Sequence, residues 1–450
     1  MQVSRGVLRN LSMLTILMLL CSCERRDIGS QRKAEEPKSF AFHGTPTSAI
    51  TFMSTQMNPV EEAGKMRDVI LKDFPGKVDF RPNDNSHMLS QIDAMLKADP
   101  SKSILLGANH GDLISLYEKG SLRPMDAIYA GLRGREFSPS LIALSRLDGK
   151  AMYYVPWTQA SYVMVANRKA LAYLPKGADL NALSYDQLRL WAKDIFDKTG
   201  MKALGFPAGK NGLMHRFFQG YLYPSFTAST LLKFRSAEAR GMWTFFKGLW
   251  AYAHPGSLAY STMAEPLLTG DIWIAWDHVA RLMKAFEEKP SEFVAFPAPI
   301  GPKGRGFMAI IAGVCIPTGK ADAANAALLI DYLTQPVIQA RTLDATGFLP
   351  VVTLGKDTAI PGYLKGLKSA VDAQTNDGKS VPTLAPQGLG EKGTDYNGIF
   401  MLTFSEIVLD DSDVATVLNA NAAELQSVLD GANARCWLPD VSEKRPCKIE

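Results

Sequence analysis

A regular alternation of strand-like and helix-like segments constrains the fold of this chain more than any other feature. Short apolar runs typical of buried strands occur at AITFMST (49–55), KVDF (77–80) and SILLG (103–107). Between them, residues 62–74 and 88–96 carry apolar side chains at helical spacing. Because a β-α-β-α-β order favours parallel strands covered by helices, we predict an α/β fold that begins with a parallel sheet.

Size and charge limit the class of protein. A length of 450 residues suggests two or three domains, and 46% hydrophobic with 21% charged residues is ordinary for a globular chain. The formal net charge of +4 is small for this length, and the sequence has no long basic run. We therefore expect no nucleic-acid partner.

The N-terminal segment predicts export. Two arginines precede an apolar run at 11–20, which is too short for a permanent membrane-spanning helix. The next residues, Leu-Cys-Ser-Cys, resemble a bacterial lipobox in which Cys23 is the acylated residue. We predict a lipoprotein signal peptide at 1–22 and a polar, flexible tether at 23–39. Plain secretion and an uncleaved anchor remain alternatives.

The other cysteines fit an oxidising compartment. Cys315 lies in the apolar run IIAGVCIP, which predicts a buried free thiol. Cys436 and Cys447 lie in a tail at 436–450, with ten residues between them. We expect these two to pair and to close a small loop.

The stretch GDIWIAWDHVARL (270–282) points most directly to a binding site. Its apolar run resembles a buried strand that stops at Trp276 and Asp277, before a helical segment. A ring beside a carboxylate suits a sugar, whose C–H faces stack on aromatic rings and whose hydroxyls need donors and acceptors. Asp277 also suits the N-cap of the following helix, and Trp276 also suits the core, so both interpretations stay open.

Motifs of common enzyme classes are absent from the sequence. HExxH, GxSxG and GxxxxGK[ST] do not occur, and GPKGRG (301–306) does not match the dinucleotide-binding fingerprint. The six histidines do not fall at metal-ligand spacing. We therefore expect neither a metal nor another cofactor.

Seven stretches from about residue 48 to about residue 352 carry a family resemblance through their order and spacing. They are AITFMSTQ, LLGANHGDLISLYEKGSLRPMD, GKAMYYVPWTQASYVMVANRKAL, TGMKALGFPAG, EPLLTGDIWIAWDHVARL, FPAPIGPKGRGFMAIIAGVCIP and ALLIDYLTQPVIQARTLDATGFLPVV. Together they resemble the extracellular solute-binding proteins of sugar ABC importers, the maltose-binding-like group. The lipobox agrees with this resemblance.

The resemblance implies a periplasmic binding protein fold with two discontinuous α/β lobes, joined by a hinge of crossing segments. The implied crossings lie near residues 161–166, 270–275 and 345–350. On this basis lobe one spans 40–162 plus 272–343, and lobe two spans 163–271 plus 344–435.

Ligands of open α/β sheets bind beyond the carboxyl ends of the strands, and this rule selects most candidate contacts. The residues that follow predicted strands or lie in a crossing are Gln56, Asn109, His110, Asp112, Trp157, Gln159, Trp276 and Asp277. Three more are Tyr223, in a loop similar in position to an aromatic loop of the family, Gly313, at a turn expected to bring backbone to the ligand, and Phe348, near the third crossing. For His110, a structural loop role is the main alternative.

The implied function is a monomeric receptor, lipid-anchored at the periplasmic face of the bacterial cytoplasmic membrane. It would capture a neutral sugar between the lobes and deliver it to ABC permease and ATPase subunits. Lys and Arg are not concentrated at the candidate strand ends, which argues against acidic ligands. One alternative is a periplasmic hydrolase in which Asp277 pairs with Asp112 or Asp126 as an acidic pair. Another is a sugar-sensing receptor without transport.

Overall fold

The computed structural model describes residues 44–57, 60–83, 85–319, 322–355, 358, 360–442 and 445–450. The predicted signal peptide, the acylated Cys23 and the tether lie outside the described residues. Within the described part of the chain, no helix combines the length and the apolar character needed to cross a bilayer.

The strands form two sheets. They are β1 (Ile50–Ser54), β2 (Val78–Pro82), β3 (Ser103–Asn109), β4 (Val155–Ala160), β5 (Tyr162–Asn167), β6 (Leu204–Gly205), β7 (Ile274–His278), β8 (Phe293–Phe296), β9 (Arg305–Cys315) and β10 (Ser380–Leu384). The larger sheet has six strands in the order β10-β9-β3-β1-β2, with β4 paired to β9. The smaller sheet has four strands in the order β6-β7-β5-β8.

The predicted parallel start of the fold is confirmed. Strand β1 pairs in parallel with β2 on one side and with β3 on the other. All five residues of β1 are buried, as expected for a central strand covered on both faces. The mixed α/β class predicted from the sequence is therefore the observed one.

Helices cover both sheets. They are α1 (Val60–Lys65), α2 (Asn85–Ala98), α3 (His110–Glu118), α4 (Asp126–Gly131), α5 (Pro139–Ser145), α6 (Tyr185–Thr199), α7 (Met214–Phe217), α8 (Tyr223–Thr227), α9 (Ala237–Trp250), α10 (Ala264–Thr269), α11 (Val279–Glu288), α12 (Ala323–Leu333), α13 (Pro336–Thr346), α14 (Gly362–Thr375), α15 (Gly393–Phe404) and α16 (Val414–Gly431).

Helix α6 shows how local sequence sets its limits. The Ser184 hydroxyl accepts a hydrogen bond from the backbone N–H of Gln187, whose side chain accepts one from the N–H of Ser184. This capping box satisfies two backbone donors that a helix start leaves without partners. Gly200 ends the helix with a φ of 75°, a left-handed conformation that glycine adopts without steric cost.

One residue separates the two sheets at the first change of sheet along the chain. Strand β4 pairs with β9 of the larger sheet, whereas β5 pairs with β7 and β8 of the smaller sheet, and Ser161 lies between β4 and β5. The Ser161 hydroxyl donates to the backbone oxygen of Met308 at 3.2 Å and accepts from the Gln374 amide at 2.8 Å. Both bonding functions of this side chain are therefore used within the protein.

The second change of sheet lies further along the chain than the sequence suggested. The predicted lobe one joins residues 272–343 to residues 40–162, which include β1 to β3, but β7 and β8 pair with β5 in the smaller sheet. The five residues of β7 are all buried, because this strand lies between β5 and β6 rather than at an edge. The chain returns to the larger sheet only after Phe296, through β9.

Apolar cores lie on both sheets. One joins side chains of β5, β7 and helix α9 to Met308 of β9, in the larger sheet, and to the C-terminal residues Trp437 and Cys447. Another contains side chains of β1, β3 and α3, together with the buried free thiol of Cys315. Cys436 and Cys447 are joined by a disulfide bond, which closes a loop in the tail.

Candidate functional site

Charged residues from both sheets interact beyond the carboxyl ends of the strands. Asp112 of α3 follows β3, and the Arg216 guanidinium of α7 is close enough to lower its pKa. Glu62 of α1 and Arg281 of α11 interact in the same way. Asp277 of β7 also faces Arg281. We call these five residues the strand-end cluster; it contains three carboxyl groups and two guanidinium groups, contributed by elements on both sheets.

Trp276 is held in one orientation by other rings. Its indole stacks on Tyr162, with ring centroids 4.7 Å apart and planes at 6°. Phe217 and Tyr221 contact it edge-on at 5.1 and 5.2 Å. The ring is fully buried, and its Nε1 donor has no hydrogen-bond partner among the described residues. A buried donor without a partner costs about 1–3 kcal/mol, which a ligand oxygen would recover.

Asp277 is a buried carboxyl group and not a helix cap. Its two oxygens accept hydrogen bonds from the backbone N–H groups of Met263 at 2.8 Å and His278 at 2.7 Å. His278 caps α11 instead, since its Nδ1 accepts from the N–H of Ala280. Burial raises the pKa of Asp277 to about 7, and Arg281 opposes this rise. The alternative that Asp277 is the N-cap is therefore wrong.

The end of β3 provides an acceptor without a partner and a neutral histidine. Oδ1 of Asn109 is buried and has no hydrogen-bond partner among the described residues. His110 bonds through Nδ1 to the Tyr154 hydroxyl at 2.9 Å, and burial lowers its pKa to about 4. Burial raises the pKa of Asp112 to about 6, against the effects of Arg216 and the Thr55 hydroxyl.

Gln56 follows β1 and lies beside these groups. Its backbone N–H donates to the Ser54 hydroxyl at 3.0 Å, and its side-chain amide donates to the Thr55 hydroxyl at 3.2 Å. Since Thr55 also bonds to Asp112, the end of β1 is linked to the start of α3.

Tyr223 occupies a core position in the structure. Its hydroxyl donates to the backbone oxygen of Phe234 at 3.0 Å and accepts from Trp243 Nε1 at 3.0 Å. Its ring stacks on Phe234 at 5.4 Å and is fully buried. These contacts account for Tyr223 through packing inside the protein, so its predicted role as a ligand contact has no support in the geometry.

Gly313 and Trp157 also lie within the larger-sheet core. A Cβ on Gly313 would come within 2.1 Å of the Tyr154 ring, so this glycine makes room for a protein side chain. Trp157 is fully buried against Phe52, with ring centroids 5.2 Å apart. Its Nε1 has no hydrogen-bond partner among the described residues, but its surroundings are apolar core.

Gln159 and Phe348 lie where two crossing segments meet. The backbones of Gln159 and Leu349 exchange hydrogen bonds at 3.1 and 2.7 Å, and the Gln159 amide donates to the Pro350 oxygen at 2.6 Å. Phe348 contacts the His278 ring edge-on at 5.9 Å. Gln159 therefore ties the end of β4 to the crossing at 345–350. Phe348 contacts His278, which caps α11 and follows Asp277 in the chain.

Sequence reasoning did not select Arg216 or His278, and it placed Arg281 one turn into the following helix, where it either points away or braces Asp277. Arg281 lies four residues after Asp277, and this helical spacing was the available signal. Arg281 donates to the backbone oxygens of Ser261 at 2.8 Å and Asn211 at 3.2 Å. Arg216 lies in the short helix α7 and has no local pattern that relates it to Asp112, so only the tertiary fold reveals the pair.

The second acid proposed for a hydrolase lies in different surroundings. Both carboxyl oxygens of Asp126 are occupied, one by Arg146 at 3.2 Å and the other by the N–H of Met152 at 3.0 Å. Asp112 is the only one of the two suggested partners that belongs to the strand-end cluster.

Three cavities lie near the candidate residues. One of about 580 Å³ is lined by His110 and Glu118 of α3 and by tail residues including Arg445. One of about 760 Å³ is lined by Gln159 and the crossing at 349–355. One of about 620 Å³ lies between α1 and α11 and includes Glu62. Each of them adjoins a candidate residue or a residue of the strand-end cluster.

Comparison with known proteins identifies a family. Residues 66–359 match the family described as bacterial extracellular solute-binding protein. A comparison with curated protein sequences gives no match.

Several solved structures have a similar fold at low sequence identity. The sugar-binding protein MalE from Xanthomonas citri is 16% identical, with a TM-score of 0.64 over 85% of this chain and 97% of that one. UgpB from Mycobacterium tuberculosis, in complex with glycerophosphocholine, is 19% identical, with a TM-score of 0.64 over 86% and 99%. The GacH receptor of Streptomyces glaucescens is 16% identical, with a TM-score of 0.62 over 84% and 98%.

Proposed function

Since the chain belongs to the bacterial extracellular solute-binding proteins, we propose that it captures a neutral sugar between its two sheets and delivers it to an ABC permease. Members of this family are receptors that act outside the cytoplasm, not enzymes. In this proposal the bodies built on the two sheets are the two lobes, and the strand-end cluster marks the cleft between them.

Buried polar atoms without partners carry the proposal. Trp276 Nε1 is a donor and Asn109 Oδ1 is an acceptor, and neither has a partner among the described residues. A sugar hydroxyl both donates and accepts, so a polyol satisfies groups of both kinds. Each such hydrogen bond contributes roughly 1 kcal/mol, so several contacts together are needed for tight binding.

The charge balance of the strand-end cluster favours a neutral ligand. Arg216 faces Asp112, and Arg281 faces both Asp277 and Glu62. Each guanidinium group thus already faces at least one carboxyl group of the protein. An anionic ligand would have to compete with them for the arginines.

The proposal extends to location and partners. We propose that Cys23 carries the lipid anchor, that residues 23–39 tether the receptor to the cytoplasmic membrane, and that the receptor acts as a monomer. Ligand would shift the population toward the closed form, because only that form contacts it from both lobes. The permease would recognise the closed form.

A binding screen tests the proposal. Thermal shift with neutral mono-, di- and oligosaccharides is followed by calorimetry of each hit, with glycerophosphocholine and a sugar phosphate as charged comparators. A ligand at 100 times its dissociation constant adds about 2.7 kcal/mol to the free energy of unfolding. We expect one neutral sugar per protein molecule. Binding of only the charged compounds, or of none, would contradict the proposal.

A further inference from the structure

Helix α15 carries a buried hydroxyl group that the described part of the chain does not satisfy. Tyr396 is fully buried, and its hydroxyl has no hydrogen-bond partner among the described residues. Its ring is held by Phe400 at 5.2 Å and by Trp437, edge-on, at 5.5 Å between centroids. Because an unsatisfied buried hydroxyl is unfavourable and uncommon, this group calls for a partner from outside the protein.

Arg216 of the strand-end cluster faces this hydroxyl. Burial raises the pKa of Tyr396 well above its ordinary value, and the Arg216 guanidinium acts against this rise. The same guanidinium lowers the pKa of Asp112 on α3 and of Tyr162, the residue that stacks on Trp276. Tyr396 therefore shares a charged neighbour with residues already assigned to the candidate site.

A chain of hydrogen bonds joins α15 to Arg216. Nη1 of Arg216 donates to the side-chain oxygen of Gln219 at 3.0 Å, and the Gln219 amide donates to the side-chain oxygen of Asn397 at 3.0 Å. Gln219 is buried, and its backbone oxygen accepts from the Thr230 hydroxyl at 2.8 Å. Since Asn397 follows Tyr396 directly, these bonds fix the position of α15 relative to Arg216.

The charge of Arg216 also sets the direction of the Tyr396 hydroxyl. A cation attracts the lone pairs of a nearby hydroxyl oxygen and repels its proton. The proton of Tyr396 is therefore directed away from Arg216, where it can be donated to an acceptor oxygen.

The neighbouring charge distinguishes Tyr396 from another buried tyrosine. The hydroxyl of Tyr185 also lacks a hydrogen bond of good geometry. The arginine that acts on it is Arg305, which is bonded to Asp377 at 2.8 Å and does not belong to the strand-end cluster. For Tyr396 the arginine is Arg216, which does belong to it.

We propose that Tyr396 donates a hydrogen bond to the neutral sugar and thereby determines which arrangement of ligand hydroxyl groups the receptor selects. Gln219 and Asn397 act as positioning residues. The inference rests on the proposed function, because it adds a contact to the same site. The match to the family ends at residue 359, so α15 lies outside the part of the chain that the family describes.

Calorimetry and thermal denaturation of the full chain test the inference with Tyr396→Phe. The probes are D-glucose, D-galactose, maltose, cellobiose and maltotriose. For each sugar that binds the wild type, the dissociation constant should rise about twofold to tenfold in the variant, the value of one hydrogen bond. Without sugar, the melting temperature should equal or exceed that of the wild type, because the change removes an unsatisfied polar group and leaves the ring in place.

Tyr223→Phe is the matched control. It makes the same chemical change in the same core, but its hydroxyl is bonded to the Phe234 oxygen and to Trp243 Nε1. This variant should show the opposite result, a lower melting temperature and an unchanged dissociation constant. A lower melting temperature with unchanged affinity in Tyr396→Phe would overturn the inference, since its hydroxyl would then serve the fold alone.

Monodeoxy forms of the sugar that binds most tightly identify the contact. One of them should bind the wild type about twofold to tenfold more weakly than the parent sugar, whereas Tyr396→Phe should bind both equally, as expected for two groups in contact. If every deoxy form loses the same factor in both proteins, the inference is overturned and the proposed function stands. If none of the five sugars binds the wild type, the proposed function is contradicted, and this inference with it.

Discussion

The indole of Trp276 stacks on the ring of Tyr162 with the two planes at 6° and the centroids 4.7 Å apart. Tyr162 is itself surrounded by charge: burial raises its pKa to about 12, while Arg216 and Arg281 lower it and Asp277 raises it. The stacked pair therefore connects the aromatic core of the smaller sheet to the strand-end cluster. It also fixes the direction of the Trp276 Nε1 donor before any ligand arrives.

Replacing Trp276 by Phe keeps an aromatic ring but removes the Nε1 donor, which finds no hydrogen-bond partner in the described part of the chain. We expect the dissociation constant for the sugar to rise about twofold to tenfold, the value of one neutral hydrogen bond. Calorimetry measures it. Trp243→Phe is the control: its Nε1 donates to Tyr223, so that variant should lose stability and keep its affinity. Unchanged affinity in Trp276→Phe would remove this residue from the site.

Asp277→Asn should change how stability depends on pH. The folded pKa of Asp277 is about 7, above its ordinary value of 3.8, so the folded protein keeps a proton that the unfolded chain releases near pH 4. The free energy of unfolding therefore falls as pH rises from about 4 to about 7, by a few kcal/mol at most. The Asn variant lacks this contribution and should show a shallower decline.

Urea denaturation between pH 4.5 and 7.5 measures the difference between wild type and Asp277→Asn. Burial also raises the pKa of Asp112, to about 6, so this residue lowers stability over part of the same range in both proteins. Subtracting the two pH profiles isolates Asp277. Identical slopes would mean that its carboxyl group is already ionised throughout this range.

Tyr223→Phe should lower stability and leave binding unchanged. The change removes a hydroxyl that donates to the Phe234 oxygen and accepts from Trp243 Nε1, both buried. We expect the free energy of unfolding to fall by about 1–3 kcal/mol. Denaturation and calorimetry on the same sample check both expectations. A weaker sugar affinity at unchanged stability would restore the role first predicted for this tyrosine.

Two glycine substitutions should have opposite effects. In Gly313→Ala, the new Cβ would lie 2.1 Å from the Tyr154 ring, so the protein should lose about 1–3 kcal/mol through overpacking. In Gly241→Ala, within α9, nothing lies within 4 Å of the new Cβ, and the protein should gain about 0.5–1 kcal/mol. Thermal denaturation ranks the three proteins. If Gly313→Ala leaves the stability unchanged, the Tyr154 ring must be able to move aside.

The sequence was most informative where neighbours along the chain decide the structure. Ser184 and Gln187 form the cap of α6 within four residues, and the alternation of segments predicted the parallel pairing of β1 with β2 and β3. The burial of β7 was also predicted. Its membership of the smaller sheet was not, because an apolar run indicates a buried strand without indicating its partners.

The candidate site was harder to predict because its contacts are distant in sequence. The partners of the Tyr223 hydroxyl lie 11 and 20 residues away in the sequence. Because of these contacts, a residue that suited a ligand contact in the sequence is a core residue in the structure. Arg216 and Asp112 are more than a hundred residues apart, so their interaction depends on how α7 and α3 meet. Trp276 and Asp277 could be proposed from the sequence because strand ends are local features.

The single-residue junction at Ser161 has a mechanical consequence. Because a single residue joins β4 to β5, the two sheets cannot move apart at this point. Any relative rotation of the sheets must therefore bend the backbone at Ser161, close to the paired backbone hydrogen bonds that tie Gln159 to Leu349. Displacement in such a rotation grows with distance from this point.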